Sequence, residues 1–597
     1  MSAPEERTVP CEIRSESIVI GQAYVLDDQM VEPAVTPVPE AAREQEAARF
    51  RDAAAASEKI YRQRIEQTKS HFPVEIRDEV VDMLRAELML LSDSSAQKKI
   101  DAAIRAGKSA ARATFECFKA VSEPLRLSPI PKMQGIAHAI DSVLLTLLQQ
   151  LDPVAHTASL QDAPDGCIPV TPALPVGLTG YFRQPGSGAR IHGMINSGGT
   201  QEDHTNIVAR ALGVAIARVG AAELASLKTG DLLIIDGAND KIITHPSPAT
   251  LEAYQEKYAA GAAAQEALIE KARQDTGIIR TRDGQAISVA ANISYSDEVA
   301  DVNAVNARGI GLYRTELAVQ RSNQSLTEDK WHKIFSHIVG ETRGGKVVIR
   351  TIDLEGDKAN HNLDGESVDR IVERQLAAAL RVAHERGRDR VAVMIPNIRD
   401  AAHLQSFQYV MDAQAARLKL ETIKLGSMVE IPAFVDDLDN ARSAFFSIGT
   451  NDLIANTLGF SRFDKNDRDR YDPTDPAVLK EIEKTAQVGI TQNVPVSVCG
   501  DMGSDPRYFA LLVGAGIRNL SVGTAAIPEI KELARRIDSC DAAALFQKIL
   551  VTENRENRRQ ILDSFNRASL GVSAGGLDSR WQPPSPPVDG PAGLSPS

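Results

Sequence analysis

With 597 residues and a formal charge of −13, the chain can hold about three or four ordinary domains and carries no basic stripe to offset the phosphates of a nucleic acid; small anions or proteins are its expected partners. Its five cysteines, Cys11, Cys117, Cys167, Cys499 and Cys540, are scattered and without a CxxC pair, which excludes a disulfide framework and a structural zinc site and fits a reducing cytoplasm. The first residues lack the apolar core of a signal peptide, and no apolar run approaches the ~20 residues that span a bilayer, so a cytoplasmic protein without membrane insertion is expected.

In chain order, residues 17–26 read as a strand closed by the turn signal Asp27-Asp28. Apolar residues then recur at helical spacing, as in Val80-Val81-Asp82-Met83-Leu84, and predict an all-helical subdomain over 28–150. Strand-like pieces return at 168–170 and 231–236, around a short helix at 205–212. The opening strand needs partners, and the nearest strand-rich region lies beyond the helices. Residues 1–27 and 151–250 therefore predict one α/β domain with the helical block inserted into it. An Ala/Glu/Lys-rich helix over 251–275 suits a connector. Across 276–570, eight short apolar runs (287–293, 310–313, 347–352, 391–395, 425–429, 445–448, 494–498 and 519–522) alternate with helical stretches. That number and length predict a (β/α)8 TIM barrel. Residues 571–597, rich in Pro, Gly and Ser with little to bury, predict a disordered tail.

In such a barrel the chemistry sits at the C-terminal ends of the strands. Reading off those ends gives Arg314, Arg350, Glu430, Asn451, Asp452 and Cys499, with Lys358 and Arg462 in loops just downstream. Guanidinium groups clamp phosphate and carboxylate oxygens, whereas two carboxylates beside that anion need a hard dication between them, so Glu430 and Asp452 are the expected Mg²⁺ ligands. Asn451 is placed to contact phosphate, and the turn at Gly449 lets backbone N–H groups approach it. A thiol is a weak phosphate ligand but a proton donor, so Cys499 points to an enolate protonated on carbon. Phosphate, carboxylate and enolate together describe phosphoenolpyruvate. A second constellation, Gly198-Gly199-Thr200-Gln201-Glu202-Asp203-His204, leads a di-glycine into a histidine at a helix start, where free N–H groups and the helix dipole favour an anion. His204 is the expected phosphohistidine.

The motifs GLYRTE (311–316), RTxDxxGDK (350–358), MVExP (428–432), FFSIGTNDL (445–453) and CGD (499–501) resemble, in order and spacing, those of enzyme I, the phosphoenolpyruvate-protein phosphotransferase of the bacterial sugar phosphotransferase system. The resemblance covers nearly the whole chain apart from the tail. It implies that Arg314, Arg350, Lys358, Asn451 and Arg462 hold phosphoenolpyruvate, that Glu430 and Asp452 hold Mg²⁺, and that Cys499 protonates C3 as pyruvate forms. It further implies that His204 takes the phosphoryl group and passes it to an HPr-like phosphocarrier docked on the helical block. A histidine domain that swings between barrel and carrier, and a homodimer formed through the barrel, are implied as well. Two departures stand out. His204 follows Glu202-Asp203 where the family has Thr-Ser, and the asparagine-proline segment with its further arginine is missing after Lys358. These leave a second expectation, a regulatory paralogue that senses phosphoenolpyruvate or pyruvate without turnover.

Overall fold

The structure, a computed structural model, describes residues 6–13, 18–26, 32–71, 74–128, 131–152, 164–171, 191, 193–197, 214–275, 278–316, 318, 326–352, 367–460, 470–573 and 576–577. The chain divides into two compact units, one of residues 1–72 and 76–260, the other of 73–75 and 261–597. In the first, β1 (Arg7–Pro10), β2 (Glu12–Ile13), β3 (Ile18–Val25), β4 (Ile168–Thr171), β5 (Gly193–Asn196), β6 (Ala215–Arg218), β7 (Leu232–Asp236) and β8 (Lys241–Thr244) form one sheet in the order β1-β8-β7-β3-β4-β5-β6-β2. The stretch from β3 to β6 is parallel. Branched side chains at Ile168, Val170, Ile195, Leu233 and Ile235 are buried in its core, as strands covered on a face require.

Five helices, Arg43–His71, Val74–Leu91, Ser94–Arg105, Ala110–Arg126 and Pro131–Leu151, lie between β3 and β4 in the chain. Two are started by side-chain caps, Asp93 accepting from the N–H of Ser95 and Ser109 from that of Arg112, which satisfy N–H groups a first turn leaves open. Val143, Leu144, Leu147 and Leu148 form a buried stripe at helical spacing. Ala23 pairs directly with Ile168 across this block; the helices are an insertion into an intact sheet. The helix Pro248–Arg273 then leaves β8, and its Tyr254 hydroxyl donates to the buried Asp236 at 2.5 Å.

The second unit opens with β9 (Ile279–Arg280), antiparallel to β10 (Ala286–Ile293). It continues with β11 (Gly309–Arg314), β12 (Lys346–Arg350), β13 (Val391–Ile395), β14 (Lys424–Val429), β15 (Phe446–Ile448), β16 (Val496–Val498) and β17 (Asn519–Gly523). Neighbours from β10 to β17 pair in parallel, and β17 pairs back onto β10. The predicted (β/α)8 barrel is closed. Alternation puts Ile287, Val289 and Ile293 into the layer shared with Trp331 and Phe335 on the surrounding helices, while Leu312, Val348, Ala392, Met394, Met428, Phe445 and Cys499 form a separate buried cluster. After Asn566–Leu570 comes a hairpin of β18 (Val572–Ser573) and β19 (Gly576–Leu577). Leu570 and Val572 are buried, so ordered chain runs past Gly571, where composition places the start of the tail. Residues 578–597 lie outside the described residues. No helix among the described residues is long and apolar enough to cross a membrane.

Candidate functional site

At the C-terminal rim of the barrel, β11 and β12 pair so that Arg314 stands opposite Arg350, after a register shift between Ile310 and Tyr313. Two guanidinium groups on neighbouring parallel strands repel each other and together attract an anion. Arg350 is buried, and its Nη2 donates to Glu316 Oε1 at 2.7 Å. Its Nη1 lies 3.6 Å from Met428 Sδ. The Thr315 hydroxyl donates to the Arg350 carbonyl at 2.9 Å, which fixes the backbone beneath the guanidinium.

Glu430 directly follows β14 and is 1% exposed. Its Oε1 accepts the Asn397 N–H at 2.6 Å, and its carbonyl accepts from Asn456 Nδ2 at 2.8 Å. Beside it, Gly449 caps the helix Thr450–Leu458, whose first turn carries Asn451 and Asp452. A Cβ at Gly449 would stand 2.8 Å from Glu430 Oε2, so only glycine leaves this side of the carboxylate open toward the helix that bears Asp452. Two carboxylates, an all-oxygen set, suit a hard dication, and the residues present fit Mg²⁺. The one group of three potential metal ligands among the described residues, Asp283, Asp538 and Cys540, is formed instead around Asp538, the N-cap of the helix Ser539–Leu550. Gly500 passes so close to Thr450 that a Cβ would lie 2.0 Å from its Oγ1, and the Asp501 N–H donates to Asn451 Oδ1 at 2.9 Å. The turns after β15 and β16 are thereby interlocked.

Cys499, just past β16, is 1% exposed and packs in the same cluster as Leu312, Met394 and Met428. Burial pushes its thiol up to about 11, against the lowering influence of Ser447, Arg350 and Arg314, with Glu430 adding to the rise. At neutral pH it therefore carries its proton. The Cys499 carbonyl accepts from Asn292 Nδ2 at 3.1 Å, and Asn292 Oδ1 accepts from the Ser521 hydroxyl at 2.6 Å.

Arg314, Arg350, Glu430 and Cys499 are thus brought to one mouth, with Asn451 and Asp452 on the adjoining helix turn. His204, the expected helix at 205–212, Lys358 and Arg462 lie outside the described residues. Sequence reasoning passes over Glu316, Asn292 and Glu298. Glu316 closes the GLYRTE run and Asn292 is the penultimate residue of β10, but neither position tells which side chain on the next strand it meets.

Glu298, in the loop after β10, accepts the N–H groups of Ser294 and Tyr295, each at 2.8 Å. Burial raises its carboxyl from 4.5 to about 7; Asp297 adds to the rise, and the two N–H bonds and Arg314 oppose it. A carboxyl raised on folding takes up a proton between those two values, so its contribution to stability is full below about 4.5 and lost as pH climbs through about 7. Glu298→Gln keeps an acceptor oxygen and removes the titration. Melting curves across that range should fall with pH in the wild type and run flatter in the variant; parallel curves would show that Glu298 does not titrate there.

A closed parallel barrel whose rim gathers two arginines, buried carboxylates and a protonated thiol defines a (β/α)8 protein built to hold a small, highly charged anion. The chain matches the PEP-binding domain of PEP-utilising enzymes over residues 269–367 and 362–539, and their N-terminal domain over 14–133. It is 30% identical over 418 residues to the phosphoenolpyruvate-protein phosphotransferase of Haemophilus influenzae, covering 65% of this chain and 72% of that one. The protein of the same name from Haloferax volcanii is 28% identical over 541 residues, 86% of this chain and 92% of its own. That of Borreliella burgdorferi is 28% identical over 401 residues, 63% and 69%. The chain belongs to the phosphoenolpyruvate-protein phosphotransferase family.

Proposed function

We propose that this protein is a cytoplasmic, Mg²⁺-dependent phosphoenolpyruvate-protein phosphotransferase, which moves the phosphoryl group of phosphoenolpyruvate to His204 and on to a histidine of an HPr-like phosphocarrier, releasing pyruvate. The observation that carries the reading is the meeting of Arg314, Arg350, Glu430 and the protonated Cys499 at one barrel mouth. Family membership supports it independently.

Arg350, held in place by Glu316, binds the anionic oxygens together with Arg314, Lys358, Asn451 and Arg462. Glu430 and Asp452 would hold Mg²⁺, which would supply positive charge against the phosphate and the enolate oxygen. A ring nitrogen of His204 forms the new bond to phosphorus as the bond from phosphorus to the enol oxygen breaks, and that electron pair passes into the enolate. Cys499 gives its proton to C3, the enolate becomes the ketone of pyruvate, and the thiolate left behind regains a proton from water. The phosphoryl group then leaves His204 for the carrier, which docks on the helical block, while the histidine domain swings between the two sites. The working form is a homodimer joined through the barrel.

The test is incubation of the full chain with radiolabelled phosphoenolpyruvate and Mg²⁺. Acid-labile label is expected on the wild type, not on His204→Ala, and should move to an added HPr-like carrier. The sequence Glu202-Asp203 before His204 favours one competing reading, because like charges repel a phosphate on that ring. Ligand binding by calorimetry without any label on the wild type would establish that reading, a sensor without turnover.

A further inference from the structure

A (β/α)8 barrel is usually filled by layers of bulky branched side chains, but at the N-terminal end of this one small residues leave a half-open hollow. Ser288, Ala290, Gly311, Ser497 and Ser521 are small, and a cavity of about 540 Å³ lies among them, with Lys346 and Phe445 also in its wall. That volume is within the ~300–1,000 Å³ range of small-molecule pockets. Lys346 opens β12 and Asn519, also lining the cavity, opens β17, so the hollow belongs to the end of the barrel opposite Cys499.

The charge in this wall is unbalanced. Lys346 Nζ sits 6.0 Å from the centre of the Phe445 ring, and no hydrogen bond or ion pair to it exists among the described residues. Burial lowers its pKa first, Lys424 repels it further, and Asp389 is the opposing acid. Arg308 adds a second cation to the lining, while Asp275, the carboxylate there, is paired with Lys531 and Arg535. Two hydroxyls lead from the hollow to the rim. Ser521 donates to Asn292, which donates to the Cys499 carbonyl. Ser497 donates to Ser447 Oγ at 3.0 Å, and Ser447 hydrogen-bonds the Cys499 thiol.

We propose that this hollow binds a small organic anion with one to three carboxylates, Lys346 serving as its counter-ion, and that its occupancy reaches Cys499 through the Ser521–Asn292 and Ser497–Ser447 links. The proposal does not depend on the phosphotransferase reading. Its test is calorimetric titration of the full chain with acetate, succinate and citrate in turn, repeated on Lys346→Met, on Ser288→Phe, which fills the hollow but keeps the ammonium, and on Arg314→Gln at the rim. At least one acid should bind the wild type, about tenfold more weakly in Lys346→Met and Ser288→Phe, and within about twofold of wild type in Arg314→Gln. The same acid should change the rate of Cys499 alkylation by iodoacetamide, read by peptide mass spectrometry, about threefold in the wild type and not in Lys346→Met. Absence of binding, or loss in Arg314→Gln with retention in the other two variants, overturns the site; binding with unchanged Cys499 alkylation overturns the link.

Discussion

Arg350→Met is expected to weaken phosphoenolpyruvate binding by about a hundredfold and to lower the stability of the barrel by about 3–5 kcal/mol. The two losses have different origins. Charge-assisted hydrogen bonds to a phosphate or carboxylate contribute about 1.5–3 kcal/mol each, and a bidentate guanidinium makes two. The stability loss comes from the other side of the same group. The Arg350 and Glu316 side chains are 10% and 7% exposed and 2.7 Å apart, so removing the cation takes a close counter-charge away from a buried carboxylate. The double variant Arg350→Met, Glu316→Met separates them. Its apolar pair should recover most of the lost stability, measured as the urea midpoint of the barrel transition, and none of the lost affinity, measured by calorimetry. Wild-type affinity in either variant would remove Arg350 from the binding site.

Cys499→Ala should slow pyruvate formation by about 10²–10⁴-fold, the usual contribution of a positioned general acid, while changing phosphoenolpyruvate affinity by no more than about threefold. The thiol is buried in an apolar cluster, away from any role as an anion ligand. Its pKa, pushed up to about 11, keeps it protonated throughout the neutral range. The wild-type rate of pyruvate release should accordingly show no decline from thiol ionisation until pH approaches that value. Coupling pyruvate to a dehydrogenase reads the rate, and running the reaction in deuterated water reads the proton delivered to C3. A Cys499→Ala rate within tenfold of wild type would assign the proton to another donor.

Much of the barrel is legible in the sequence because its strands are buried on both faces, so each appears as an apolar run bounded by helical stretches. Glu430 and Cys499 are legible for a related reason: each is the first residue past such a run, where a parallel barrel presents side chains to its active end. Glu316 and Asn292 are not. Which side chains meet across neighbouring strands depends on register, and the shifts between Ile310 and Tyr313 and between Ala291 and Asn292 cannot be counted from a period of two. Strand ends are blurred similarly. The runs at 445–448 and 494–498 yield strands of only Phe446–Ile448 and Val496–Val498, with Phe445 instead packed against Gly426, where a Cβ would lie 2.4 Å from its ring. The hollow at the N-terminal end of the barrel is invisible to patterning, because small residues on separate strands become neighbours only when the sheet closes.

The helical block between β3 and β4 has a kinetic consequence. During synthesis β3 emerges long before its parallel partner, and if the intervening chain were flexible, bringing them together would carry the entropy loss of closing a very long loop. Helices joined by short connections form from local contacts, and local contacts form fast. Once the bundle has condensed it holds its two ends in fixed positions, and the long search of β3 for β4 becomes a short one. The inserted block is therefore expected to act as a template for the sheet it interrupts, its helices forming before the sheet closes.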